Sequence, residues 1–223
     1  MNSTLKSMPM ILLCGLLFTP SWSQGGELSA LQLPKPRLDG KKPLMQALKN
    51  RQSTRAFMPD QLSEQTLADL LWAACGVNRP DSGKRTAPSA RNFQEIDVYV
   101  VNAKGLYLYD AAAHKLDPVA AGDIRALTGK QDFVKDAPLN LIFVANLAKM
   151  DKASAPDRDF YSATDAGFIS QNVYLFCASE GLATVVRGMI DRPALAKAMN
   201  LRPDQKIILA QTVGWPKKQA GKE

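Results

Sequence analysis

The chain has 223 residues, 46% of them hydrophobic, with 28 basic against 21 acidic side chains, three cysteines and one histidine. That length and composition suffice for a sizeable core in one compact domain, folding alone or in a small oligomer. A single histidine and three cysteines exclude histidine-rich zinc sites and a disulfide framework, while the net charge of +7 favours anionic partners without identifying them.

Residues 1–23 read as a signal peptide: Lys6 provides the positive start, "MPMILLCGLLF" the apolar stretch, and "SWS" before Gln24 the small residues of a cleavage site. The apolar run is about half of the roughly 20 residues that span a bilayer, so no stable membrane span is expected. Leu13 stands before Cys14 where a lipoprotein signal needs a small residue, and no twin-arginine pair precedes the run. The expectation is a secreted or periplasmic protein, exported unfolded, that acquires any cofactor outside the cytoplasm. Cleavage removes Lys6 and no acidic residue, leaving a net charge of +6.

Residues 24–42, rich in Gly, Pro and Lys, read as a flexible tether, 43–218 as the domain and 219–223 as a tail. "PLMQALKNR" is a short helix running into "RQSTRAF" at 51–57. A second helix has Ser63 as N-cap, an apolar face of Leu67, Leu70, Leu71 and Ala74, and Gly76 at its C-terminal end. "IDVYVV" and "LYLYD" form a hairpin around Asn102 to Gly105, "DAAAHKLD" is a turn that exposes His114, and "LNLIFVANL" is a buried strand. Short helices fill the stretch between them, and 158–180 is the longest helix, apolar nearly all round, as suits a core or a subunit interface. "LATVVRGMI", "RPALAKAM" and "KIILAQTVGWP" complete the chain as strand, helix and strand. The class is α+β, a mainly antiparallel or mixed sheet packed by helices.

Candidate chemistry lies in four polar segments. Arg51, Ser53 and Arg55 alternate, so an extended backbone turns all three to one side, a pattern suited to a phosphomonoester and equally to a solvated charged face. In "RTAPSARNFQEIDVYV" the amides of Asn92 and Gln94 match the alternating edge of a heterocycle, or cap the turn before the strand. Gly188 in an apparent strand marks either a bulge or a close backbone approach to a ligand. "VGWPKK" ends the last strand with two lysines. Cys75 and Cys177 read as buried small apolar groups. No Walker loop, no G-x-G-x-x-G and no G-x-S-x-G elbow is present, and the basic residues lack the aromatic interleaving of nucleic-acid binders, so no nucleic-acid partner is expected.

In order and spacing, "RQSTRAF", "APSARNFQ" at 87–94, "DAGFISQNVYLFCASEGLATVVRGMID" at 165–191 and "VGWPKK" at 213–218 resemble the nitroreductase family of FMN oxidoreductases. "LLWAACGVNRP" at 70–80 is similar to the branch that includes the azoline-forming peptide dehydrogenases. The resemblance implies an α+β sandwich, a homodimer with two FMN sites at its interface, and ping-pong hydride transfer from NAD(P)H or another donor to a nitro, quinone or related acceptor. It implies that Arg51, Gln52 and Ser53 hold the flavin phosphate with Lys217 or Lys218, and that Arg55 lies near the phosphate or the N1/O2 edge. Pro88, Ser89, Ala90, Arg91 and Asn92 would meet the ribityl chain and pyrimidine edge. Val186, Arg187 and Gly188 would line N5 and O4, through the backbone N–H groups of the last two. No protein acid or base is implied, Arg85 and Gln94 have no assigned role, and Arg187 stands where many relatives carry an acidic residue. The alternatives are an exported flavin carrier without nicotinamide turnover and an interaction domain that has lost the cofactor.

Overall fold

The computed structural model describes residues 28–217. The expected signal peptide, Lys218 and the tail at 219–223 lie outside the described residues. Seven strands form one sheet, β1 (Leu31–Gln32), β4 (Ile96–Val101), β5 (Gly105–Asp110), β6 (Lys115–Ala121), β7 (Leu139–Asn146), β8 (Ala183–Arg187) and β9 (Gln205–Gly214), in the order β1-β6-β5-β4-β7-β9-β8. Every pairing is antiparallel. A separate two-stranded ribbon joins β2 (Val77–Arg79) to β3 (Lys84–Arg85). The helices are α1 (Leu44–Asn50), α2 (Glu64–Cys75), α3 (Ala155–Glu180) and α4 (Arg192–Ala198). No helix among the described residues is long and apolar enough to cross a membrane.

Strand β7 explains the layering. Its residues are apolar on both faces, and the two-residue alternation sends Leu141, Phe143 and Ala145 into the core beneath α2 and α3, and Ile142 and Val144 into a second cluster with Leu195 and Met199 around α4. The sheet is therefore covered on both sides at its centre. Helix α2 begins where Ser63 Oγ accepts the Thr66 N–H, and buries Leu67, Leu70, Leu71 and Ala74 as its spacing predicts. Helix α3 starts at the Ser154 cap and stops at Gly181, whose φ of 77° is the left-handed conformation that glycine adopts without a Cβ penalty.

The stretch expected as a tether is docked from its first described residues. Leu31 and Gln32 pair with Leu116 and Lys115, and Leu33 is buried in the main core. The fixing group is Asp69, an acid buried in the middle of α2, which accepts from the Arg37 N–H at 2.8 Å and from its guanidinium at 2.9 and 2.7 Å. A buried carboxylate needs a cationic partner, and the segment supplies it. His114 is in the expected turn but is half-buried: Nε2 donates to Pro34 O at 3.0 Å and Nδ1 accepts from Tyr109 Oη at 2.9 Å, which suits the neutral ring.

Burial holds the His114 pKa below its ordinary 6.5, against the pull of the Pro34 carbonyl and of Asp69. The unfolded chain thus binds this proton more readily, so His114 contributes stability above about pH 6.5 that is lost as the pH falls through the folded value. His114→Asn, which tolerates the local φ of 49°, is expected to flatten the rise of the urea midpoint as the pH climbs toward about 6.5. An unchanged slope in the variant would place the titration elsewhere.

Candidate functional site

Three of the four polar segments meet on the free side of β8, the edge strand of the sheet. The 51–57 segment leaves α1 and runs beside β8, with Thr54 N–H donating to Thr184 O at 2.9 Å. At its far end Phe57 bridges to Pro216, and Lys217 N–H donates to Ala56 O at 3.1 Å. The outward groups of β8 alternate: Thr184 O is taken by Thr54, and Val186 N–H donates to Tyr174 Oη at 3.0 Å. The same alternation turns the Arg187 N–H inward, toward Ala210 of β9, while Gly188 lies just past the last paired residue, and its N–H has no hydrogen-bond partner among the described residues.

Tyr174 is the residue that the sequence hides. It lies in the buried run of α3, yet its hydroxyl also stands 2.8 Å from Ser53 Oγ, and the Arg51 guanidinium lies 5.2 Å from its ring centroid. One side chain therefore ties the cationic segment to the edge strand. Tyr174→Phe leaves the Val186 N–H unpartnered and is expected to cost about 1–2 kcal/mol of stability, read as a lowered urea midpoint.

Charge at this edge is uncompensated. Among the described residues, the ion pairs involve none of Arg51, Arg55 and Lys217. A cavity of about 650 Å³ is lined by Arg51, Gln52, Tyr174 and Thr184 together with Lys42 and Lys49, two cations whose helix-flanking positions gave no functional signal in the sequence. Ser53 and Arg55 are exposed beside it. The Lys217 side chain borders a different cavity, with Phe57, Arg125 and Lys135.

Strand β8 ends at Arg187, so Gly188 is not the interior strand glycine that the sequence suggests. A Cβ at Gly188 would meet only Leu209 Cδ2, at 4.0 Å, so protein packing does not require a glycine there. The Arg187 side chain, 4% exposed, turns into the core: Nη1 donates to Thr128 O at 2.7 Å, Nη2 to Asn140 Oδ1 at 2.9 Å and Nε to Thr212 Oγ1 at 3.0 Å. Burial pushes this guanidinium down to about 10.

The fourth segment lies elsewhere. Ala90 N–H donates to Asp165 Oδ2 at 2.9 Å, and nine residues of α3 separate Asp165 from Tyr174, about 13 Å along the helix. A single chain thus does not bring Ser89 and Asn92 onto the 51–55 cluster. The loop is tightly self-bonded: Ser89 Oγ accepts from Gln94 N–H at 2.8 Å, and Gln94 Nε2 donates to Asn92 Oδ1 and to Gly83 O, each at 3.1 Å. The capping role is therefore real. Even so, Arg91, Asn92 and Gln94 have φ of 50°, 56° and 49°, left-handed values costly for such residues and concentrated where a structure holds a functional loop in place. Pro88 and Asn92 are exposed at this loop, and Arg91 lies over the Tyr161 ring, 5.8 Å from its centroid.

A model described as "Nitroreductase family" matches residues 48–215. The chain belongs to the nitroreductase family. A protein of Methanocaldococcus jannaschii named as a nitroreductase is 32% identical over 157 residues, covering 65% of this chain and 78% of that one. A solved structure from Ralstonia eutropha JMP134, also named as a nitroreductase, is 44% identical with a TM-score of 0.82, covering 95% of this chain and all of the other. Two further structures share the fold. The Escherichia coli microcin synthetase McbBCD complex is 20% identical, TM-score 0.66, covering 97% of this chain and 85% of that one. The NADPH:FMN oxidoreductase of Vibrio harveyi is 18% identical, TM-score 0.59, covering 78% and 69%. As a nitroreductase-family chain, the protein is an oxidoreductase of nitroreductase type.

Proposed function

We propose that this protein is exported and uses FMN, bound between two copies of the chain, to carry hydride in a ping-pong cycle from NAD(P)H or another reduced donor to a nitro, quinone or related acceptor. The observation that carries this reading is the convergence of unpaired cations on an edge strand that ends at a glycine whose N–H is unbonded. Guanidinium forks suit the terminal phosphate, and a free backbone N–H suits an acceptor atom of a flavin edge. When bound, FMN supplies the redox chemistry, accepting a hydride from the donor and passing it to the acceptor.

The chain's own residues bind and orient. Arg51 and Arg55 hold the phosphate, with Ser53 fixed by Tyr174, and Lys217 or Lys218 joins them from the end of the last strand. The Gly188 N–H is the free donor for the ring edge. Ser89, Arg91 and Asn92 come from the second copy, because α3 separates them from Arg51 within one chain. The exposed apolar residues Leu44, Met45, Leu48, Phe160 and Phe168 on α1 and α3 favour such a pairing.

Mixed dimers test the shared site. Arg51→Ala and Asn92→Ala proteins should each lose FMN, and a re-equilibrated equal mixture should regain about a quarter of the wild-type flavin capacity, since half the dimers are mixed and each holds one intact site. No recovery would refute a site built from both copies. NADPH or NADH consumption with a quinone acceptor separates an oxidoreductase of this kind from a flavin carrier, for which none is expected.

A further inference from the structure

A cavity of about 250 Å³ lies between α2, β3, α3 and the 87–94 loop, and the flavin reading leaves its charged groups without a role. Glu95 and Asp165 line it and are 0% and 2% exposed. Burial first, then the neighbouring charge of Asp165, hold the Glu95 carboxyl above its ordinary range. Glu95 Oε2 accepts from Ser89 Oγ at 3.3 Å, but Oε1 has no partner. Arg85 enters the same cavity from β3, and its buried Nε is also without a partner. Among the described residues Arg85 makes no ion pair, so the guanidinium and the carboxyls border one space without meeting.

Unpaired buried donors and acceptors are uncommon, and two of opposite type facing one cavity call for a molecule that answers both. The remaining walls sharpen its chemistry. Lys84 and Arg79 stand on the Arg85 side, while Ile96 and Ile169 give an apolar surface. The volume equals about eight water-sized groups, which suits a compact molecule with a short aliphatic portion. We propose that this cavity binds a small aliphatic α-amino acid, its ammonium on Glu95 and Asp165 and its carboxylate on Arg85. An ammonium there relieves the repulsion between the two neighbouring carboxyls and gives Glu95 Oε1 its missing donor. The cavity shares Pro88, Ser89 and Asn92 with the flavin reading, but Glu95, Asp165 and Arg85, on which this inference rests, have no role in it.

The test is calorimetric titration of the protein with glycine, L-alanine, L-valine and L-leucine. At least one should bind saturably, while its N-acetyl and carboxamide derivatives should bind at least tenfold more weakly. Glu95→Gln and Arg85→Met, near-isosteric changes whose folding is checked by circular dichroism, should each weaken binding at least tenfold. The proposal is overturned if none of the four binds, if acetate alone binds as tightly, or if both variants bind as the parent does.

Discussion

Replacing Arg187 by methionine is expected to lower the unfolding free energy by about 2–4 kcal/mol, measured as a shift in urea midpoint. The guanidinium is buried with no carboxylate in contact, a costly arrangement that is held by acceptors converging from the turn at Thr128, from Asn140 of β7 and from Thr212 of β9. Methionine keeps the volume of the stem and relieves the buried charge, but removes three donated bonds at roughly 1 kcal/mol or more each, with only Asn140 Oδ1 keeping a second donor, Thr212 Oγ1. Gly129 provides an independent reading of the same network, because a Cβ there would fall on Arg187 Nη1 and stand 2.8 Å from Gln131 Oε1. Gly129→Ala should therefore cost about 2 kcal/mol by overpacking. In the double variant the clash disappears, so its loss should be smaller than the sum of the two. Strict additivity would separate Gly129 from the Arg187 network.

The second large effect falls on cofactor affinity. Arg51→Ala with Arg55→Ala should weaken FMN binding by at least a hundredfold: each charge-assisted contact to a phosphate is worth about 1.5–3 kcal/mol, and 1.4 kcal/mol is a tenfold change. Stability should hardly move. Both residues lie outside every ion pair among the described residues, and Arg51 gives up little more than its contact with the Tyr174 ring. Fluorescence titration with FMN reads the first quantity and urea unfolding the second. Undiminished affinity in the double variant would move the phosphate elsewhere.

Much of this fold was legible because its elements obey one period each. The 3.6-residue face of α2, the alternation of β4 and β5 around a tight turn, and the apolar run of β7 all identify themselves locally. What was not legible depends on contacts remote in sequence. β6 contains Asp117 and Pro118 and exists because β5 and β1 flank it, while β1 is two residues in a proline-rich segment whose docking depends on Asp69. The end of β8 at Arg187 rather than Ile190 follows from the same cause, since pairing with β9 stops at Ala210.

The site divides in the same way. Arg51, Ser53 and Arg55 declare themselves by alternation, and the loop at 88–92 by its density of polar groups. Tyr174 reads as one more apolar position of a greasy helix, and only the fold shows its hydroxyl between Ser53 and Val186. Arg187 enters the site reading through its backbone, and only the fold shows its side chain buried among Thr128, Asn140 and Thr212. The carboxyls of Glu95 and Asp165 lie 70 positions apart in sequence and line one cavity as neighbours, a relation that no local pattern carries.

The central claim is that an FMN rests on the free edge of β8, held by the 51–55 cations. It is tested most directly by the absorbance spectrum of the purified mature protein, before and after addition of a reduced nicotinamide or dithionite. A yellow protein whose flavin band bleaches, and which releases FMN in proportion to chain on denaturation, is the predicted result. A colourless protein that takes up no added FMN would contradict it.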